Sequence, residues 1–165
     1  MDFKQAIGIT ENSKEFKDFS KKNAHYYLVH VFSTMDSLND NVWQIGYYSK
    51  ETDKLVVFEN NNDLILIHPA EDALKKEEYI QMLELDKLKI SKSDAVSICD
   101  GVLKENYKYE SLNKAIFLLQ NLPEYGNVWN ITIITETFSV INIKIDAITG
   151  KVVKHEKQNL MNWRS

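Results

Sequence analysis

The sequence predicts an α+β protein made of two related units, each a helix packed on an antiparallel β-sheet. Three observations carry that expectation. Asn41-Val42-Trp43-Gln44-Ile45 recurs as Asn127-Val128-Trp129-Asn130-Ile131, with four of five residues identical. An apolar run precedes each copy, Tyr26 to Phe32 before the first and Ala115 to Leu119 before the second, with a helix-like segment upstream of each. Short β-rich segments follow each copy and are separated by polar turns, the pattern of an antiparallel sheet. The boundary is expected near Glu84, giving units 1–84 and 85–165.

In the first unit a helix is expected from Glu11 to about Asn23, with Thr10 as N-cap and Phe16 and Phe19 sharing one face. A strand follows to about Phe32. Asp36 to Asn41 is a turn by composition, and Val42 to Ser49 is the next strand. Lys50 to Asp53 and Asn60 to Asp63 are turns that bracket strands Leu55–Glu59 and Leu64–Ile67. Glu71 to Glu78 reads as a helical turn or a connector.

In the second unit Ser91 and Asp94 have capping-box spacing, and Ala95, Ile98, Cys99, Val102 and Leu103 recur on one helical face. Ala115–Leu122, Val128–Thr135 and Phe138–Ile145 read as strands; in the last, Ile141, Ile143 and Ile145 alternate with Asn142 and Lys144. Asp146 to Lys151 is a hairpin turn, with Gly150 supplying positive φ. Val152 to Glu156 completes the sheet. Leu160, Met161 and Trp163 in the tail predict that it docks on the body.

The helix from Ser91 to about Asn106, the strand carrying Trp129, and Ile141-Asn142-Ile143-Lys144-Ile145-Asp146-Ala147-Ile148-Thr149-Gly150-Lys151-Val152-Val153 resemble the PepSY domain family. The resemblance covers roughly Leu85 to Glu156. The first half looks like a diverged copy, with Glu51-Thr52-Asp53-Lys54-Leu55-Val56-Val57 echoing the turn. The resemblance implies a cystatin-like arrangement, a helix against a curved sheet, duplicated in tandem. It also implies a non-catalytic, inhibitory or regulatory role, and it brings no catalytic residues.

Composition narrows the function classes. Apolar residues make up 44% of the 165, enough to bury a core. The net charge of -4 argues against a general nucleic-acid binder and against an anionic membrane as partner. The N-terminus shows no secretory pattern and Cys99 is the one cysteine, so a cytoplasmic protein without disulfides is expected. His25 and His30 are five apart and face opposite ways on a strand, which is not metal-ligand spacing. His68 and His155 each end a strand. Cys99 sits on the apolar helical stripe, which suits a core filler better than a nucleophile. No phosphate loop or nucleophile elbow is present, so no enzyme, cofactor or metal is expected.

The aromatic residues are the candidate binding groups: Trp43 and Trp129 in equivalent places, and Tyr26 and Tyr48 from the pairs Tyr26-Tyr27 and Tyr47-Tyr48. The competing role of the tryptophans is to anchor the two helix–sheet cores. Outward rings, with Ile134 or Val140, would form an apolar binding patch. The leading expectation is a protein-binding or regulatory module with a protein partner or a homodimer. Small-ligand binding on the concave side of the sheet is the alternative.

Overall fold

A computed structural model describes residues 1–36, 41–62, 64–73 and 78–159. The described residues form helices α1 (Phe3–Asn12), α2 (Lys14–Lys22) and α3 (Lys92–Asn106), and strands β1 (Tyr27–Met35), β2 (Val42–Ser49), β3 (Lys54–Asn61), β4 (Leu64–Asp72), β5 (Ala115–Leu122), β6 (Gly126–Ile134), β7 (Ser139–Asp146) and β8 (Val152–Asn159). All eight strands join one antiparallel sheet in the order β4-β3-β2-β1-β5-β6-β7-β8.

This corrects the expectation of two separate helix-on-sheet units. Two four-stranded meanders are present, but β1 pairs with β5 from His30↔Gln120 to Met35↔Ala115 and fuses them into one sheet. The helices do not divide between two cores either. Phe3 of α1 meets the Trp129 ring edge-on at 5.8 Å, and Asn60 Nδ2 of β3 donates to Ala6 O of α1 at 3.3 Å, so α1 bridges both halves. One buried cluster runs from Phe58 through Trp43 and Trp129 to Ile143. The mixed α+β class stands.

The N-terminal helix also differs from expectation. Ser13 breaks it in two: its extended backbone ends α1, and its hydroxyl accepts Phe16 N at 3.1 Å to cap α2. Thr10 is therefore not a cap but a buried residue of α1, reached by Asn60 Nδ2 at 3.5 Å. α2 lays Phe16 and Phe19 on Phe58, with ring centroids 5.2 and 5.3 Å apart. α3 follows the sequence closely. Ser91 Oγ accepts Asp94 N at 3.0 Å, Asp94 accepts Ser91 N at 2.9 Å, and Ala95, Cys99, Val102 and Leu103 are buried.

The connector after β4 reaches the helix side through the lower end of the β1–β5 seam. There β1 and β5 no longer pair, and the connector bonds to both. Leu83 N donates to Leu28 O at 2.9 Å, and Asn121 Nδ2 donates to Met82 O at 2.9 Å. The loop from Asp146 to Lys151 is a turn built on its own side chains. Asp146 Oδ1 accepts Ile148 N and Thr149 N at 2.8 and 2.9 Å, and Gly150 has φ +80°. The echo at Glu51–Val57 lies between β2 and β3, whereas Asp146–Lys151 lies between β7 and β8, so the two turns are not topological equivalents. The tail from Leu160 and the turn centre 37–40 lie outside the described residues.

Candidate functional site

α1, α2 and α3 all pack on one side of the sheet, against Trp43, Ile45, Tyr47, Val56, Phe58, Phe117, Trp129, Ile131, Ile141 and Ile143. Side chains alternate along a strand, so the residues between these point to the other side. Registers across all eight strands line that other side up in rows. One row is Leu66–Glu59–Gln44–Phe32–Leu118–Asn130–Lys144–Lys154; the next is Leu64–Asn61–Val42–Thr34–Ile116–Thr132–Asn142–Glu156. None of these sixteen residues is buried, although from β1 to β3 and β5 to β7 the residues alternating with them are. Among the described residues, no element packs over them.

The chemistry along each row is graded. The centre is apolar, with Phe32 and Thr34 on β1 beside Leu118 and Ile116 on β5. The strands to either side carry polar cross-links, and beyond them Leu64 and Leu66 on β4 are exposed apolar side chains at the sheet edge. On one side Gln44 Nε2 donates to Glu59 Oε2 at 3.3 Å, and His68 Nε2 lies 3.2 Å from the same oxygen. On the other, Lys144 Nζ donates to Asn142 Oδ1 at 2.6 Å, and Asn142 Nδ2 donates to Asn130 Oδ1 at 2.7 Å. Partial burial and the neighbouring Lys154 lower the Lys144 pKa. Ile134 and Val140, the outward residues the sequence singled out, sit opposite each other at the upper rim of this face and are half-buried.

Below this area the same side is closed. Tyr27 and Tyr48 pack edge to face at 5.7 Å, Tyr27 OH donates to Ile80 O at 2.6 Å, and Tyr48 OH donates to Asp53 Oδ1 at 2.6 Å. Burial, with the Asp53 carboxylate, pushes the Tyr48 hydroxyl up to about 12. Lys50 Nζ stands 3.8 Å from the centre of the Tyr79 ring. His30 lies over Gly46, directly opposite on β2, and burial lowers its pKa to about 4.

The aromatic candidates from the sequence do not gather into one site. Trp43 and Trp129 are 1% and 0% exposed, on the helix side, and Trp129 Nε1 donates to Ile90 O at 2.9 Å. Tyr48 is 1% exposed beneath Tyr27. Tyr26 is half-buried with its ring 5.1 Å from Phe19. The four are packing anchors in three different places. The residues that make up the open face, Phe32 and Leu118 foremost, carry no motif. Their traces in the sequence are the apolar runs Tyr26 to Phe32 and Ala115 to Leu119.

The histidines are dispersed as well. His25 Nδ1 is 3.8 Å from Glu51, His68 is on β4, and His155 on β8 has its Nδ1 2.9 Å from the OH of Tyr107 at the end of α3. β4 and β8 are the two outer strands, so His68 and His155 lie at opposite edges. Among the described residues no three His, Cys, Asp or Glu side chains cluster to hold a metal. Cys99 is buried, and burial with the Asp100 carboxylate raises its thiol to about 12. Two open surface depressions of about 490 and 530 Å³ combine charged and apolar lining, Lys14, Glu15 and Asp18 with Phe19 and Ile67 in one, and His25, Lys50 and Glu51 with Tyr27 and Met82 in the other. Among the described residues no helix is long and apolar enough to cross a membrane.

No protein-family model matches the chain, and no curated protein matches it. Among solved structures, the crystal structure of a putative lipoprotein from Clostridium difficile 630 is similar, with a TM-score of 0.57 and 19% sequence identity over 87% of this chain and 90% of that one. At that identity the likeness shows a shared fold.

Proposed function

We propose that this protein is a non-catalytic binding module, PepSY-like in its second half, that recognises a protein partner through the helix-free face of its sheet. The observation that carries the reading is the pair of rows across β4 to β8, with Phe32, Leu118 and Ile116 at the centre, polar cross-links on either side, exposed Leu64 and Leu66 at the β4 edge, and no cover among the described residues. An uncovered apolar centre flanked by polar groups matches the anatomy of a protein interface. Small-ligand binding draws less support, because a ligand pocket encloses most of its ligand, and these two depressions lie open to solvent.

Leu118→Lys tests the proposal. The side chain points away from the helices, so the variant keeps its melting temperature within about 2 °C. Native mass spectrometry of the chain taken from its source should show bound protein mass on the wild type and its loss on the variant. Retention of that mass by the folded variant refutes the helix-free face as the docking surface.

A further inference from the structure

We infer that the outer edge of β4 is a docking site for an extended apolar segment of a partner protein, which joins the eight-stranded sheet as a further strand alongside α2. This goes beyond the helix-free face, because the recognising groups are the backbone edge of β4 and the cleft beside it.

The two edges of the sheet are built differently. β8 closes one end with Lys154, His155, Glu156, Lys157 and Gln158, all exposed, and such a run discourages pairing with another strand. β4 closes the other end, and its first half is apolar on both sides. Leu64 and Leu66 point to the helix-free side and are 60% and 47% exposed, while Ile67 points to the helix side and is 45% exposed. Among the described residues nothing pairs with the outer edge of β4. A long apolar edge is a template for one more strand, and an edge with no such use is blunted, as β8 is.

The register tells which backbone groups are offered. Two residues separate Asn61 from Leu64, so this pair closes the β3–β4 hairpin with a hydrogen bond. Hydrogen-bonded pairs alternate from there, which gives Glu59 with Leu66 and Val57 with His68. Ile65 and Ile67 therefore turn their N–H and C=O outward, with the two-residue repeat of a strand. Pro69 has no N–H to offer and stands at the next outward position, where it ends the template. Donors and acceptors at this spacing select an extended backbone.

The cleft selects the side chain. Phe19 and Ile67 line an open cleft of about 490 Å³ between α2 and β4, with Lys14, Glu15, Asp18 and Lys22 along α2. An added strand turns every second side chain toward it. Both signs of charge line the cleft, so an apolar side chain, and not net charge, is what it sorts. A second copy of this chain fits poorly. Antiparallel pairing of two β4 edges about Leu66 would set the copy's Ile65 opposite Ile67. Ile65 is buried in its own core and would leave the cleft unfilled.

The test is amide hydrogen exchange of the full chain, followed residue by residue by NMR. The probes are blocked seven-residue peptides of threonine and valine whose central residue is valine, phenylalanine or tyrosine. A bound peptide should slow exchange at Ile65 and Ile67 by about tenfold or more and leave the β8 amides unchanged. The same peptide N-methylated at alternate amides keeps its side chains and should protect nothing. Ile67→Pro removes one outward donor and no β3–β4 bond, so it should weaken the peptide about three- to tenfold, the worth of one hydrogen bond. Leu66→Lys puts a charge on the edge and should also weaken it, which keeps the test sharp if the proline variant fails to fold. Leu118→Lys, on β5 at the far side of the seam, should bind the peptide as the wild type does, so the edge and the helix-free face can fail separately. No protection by any of the peptides up to about 1 mM overturns the inference. So does equal protection by the N-methylated peptide, or wild-type affinity in the folded edge variants. Protection of Ile65 and Ile67 that rises with protein concentration in the absence of peptide would assign the edge to a second copy and overturn it as well.

Discussion

Gly46 and His30 make the sharpest stability test in the molecule, because each is explained by the other. They are direct cross-strand partners on β1 and β2, and a Cβ built on Gly46 would lie only 2.2 Å from His30 Cε1. Gly46 does not have positive φ, so its backbone would accept alanine. Gly46→Ala alone gains about 0.4–1 kcal/mol from reduced freedom of the unfolded chain. It also costs about 1–3 kcal/mol of overpacking as the ring is displaced between its strands. The expected sum is a destabilisation of about 1–2 kcal/mol. In a His30→Ala background the obstacle is gone, only the gain remains, and the same substitution should stabilise by up to about 1 kcal/mol. The coupling is therefore about 2 kcal/mol, large enough to resolve. Urea denaturation followed by the fluorescence of buried Trp43 and Trp129 measures all four corners of the cycle. If Gly46→Ala costs the same with and without His30, the ring does not occupy the space above the glycine and the packing argument fails.

The same histidine should make stability depend on pH. Its pKa falls from 6.5 unfolded to about 4 folded, so the unfolded chain binds the extra proton first and stability is lost as pH drops from 6.5 through 4. By linkage the loss at pH 5 is about 2 kcal/mol relative to pH 7, and His30→Phe should remove that share of the slope in urea titrations; an unchanged slope would sink the assignment. Cys99, buried and held near 12, should stay unmodified by a thiol reagent at pH 8 for as long as the protein is folded and should react at once in urea; rapid native labelling would show the helix stripe is open.

Local signals in the sequence mapped well onto local structure. The β2 limits Val42–Ser49, the Ser91–Asp94 capping box and the Ile141–Ile145 alternation all appear as expected. Each depends on a residue and its near neighbours alone. What was not legible is non-local. The pairing of His30 with Gln120 joins residues 90 apart, and nothing in either strand names its partner. Without it, two helix-bearing meanders look like two units. α1 was missed for a different reason. Its buried residues Phe3, Ala6 and Ile7 are few, and the stop at Ser13 leaves a helix whose packing against Trp129, not its own propensity, holds it in place.

The candidate face was not legible from the large aromatic residues, because Trp43, Trp129 and Tyr48 are buried. A quieter signal was present in β5. Ala115, Phe117 and Leu119 face the helices, yet Ile116 and Leu118, facing away, are apolar too. Sheet strands with one solvated face alternate apolar and polar residues, as β7 does with Asn142 and Lys144; strands covered on both faces read as continuous apolar runs. β5 has the sequence of a strand covered on both faces and, among the described residues, is covered on one. Its neighbour β1 repeats the mismatch with Phe32. These two strands form the seam, and the mismatch fades outward into the Gln44–Glu59 and Asn130–Asn142 networks. Scattered exposed apolar residues would need no explanation. A run of uncovered apolar residues along the seam, flanked by polar cross-links on each side, is the pattern expected if this face takes a second protein layer.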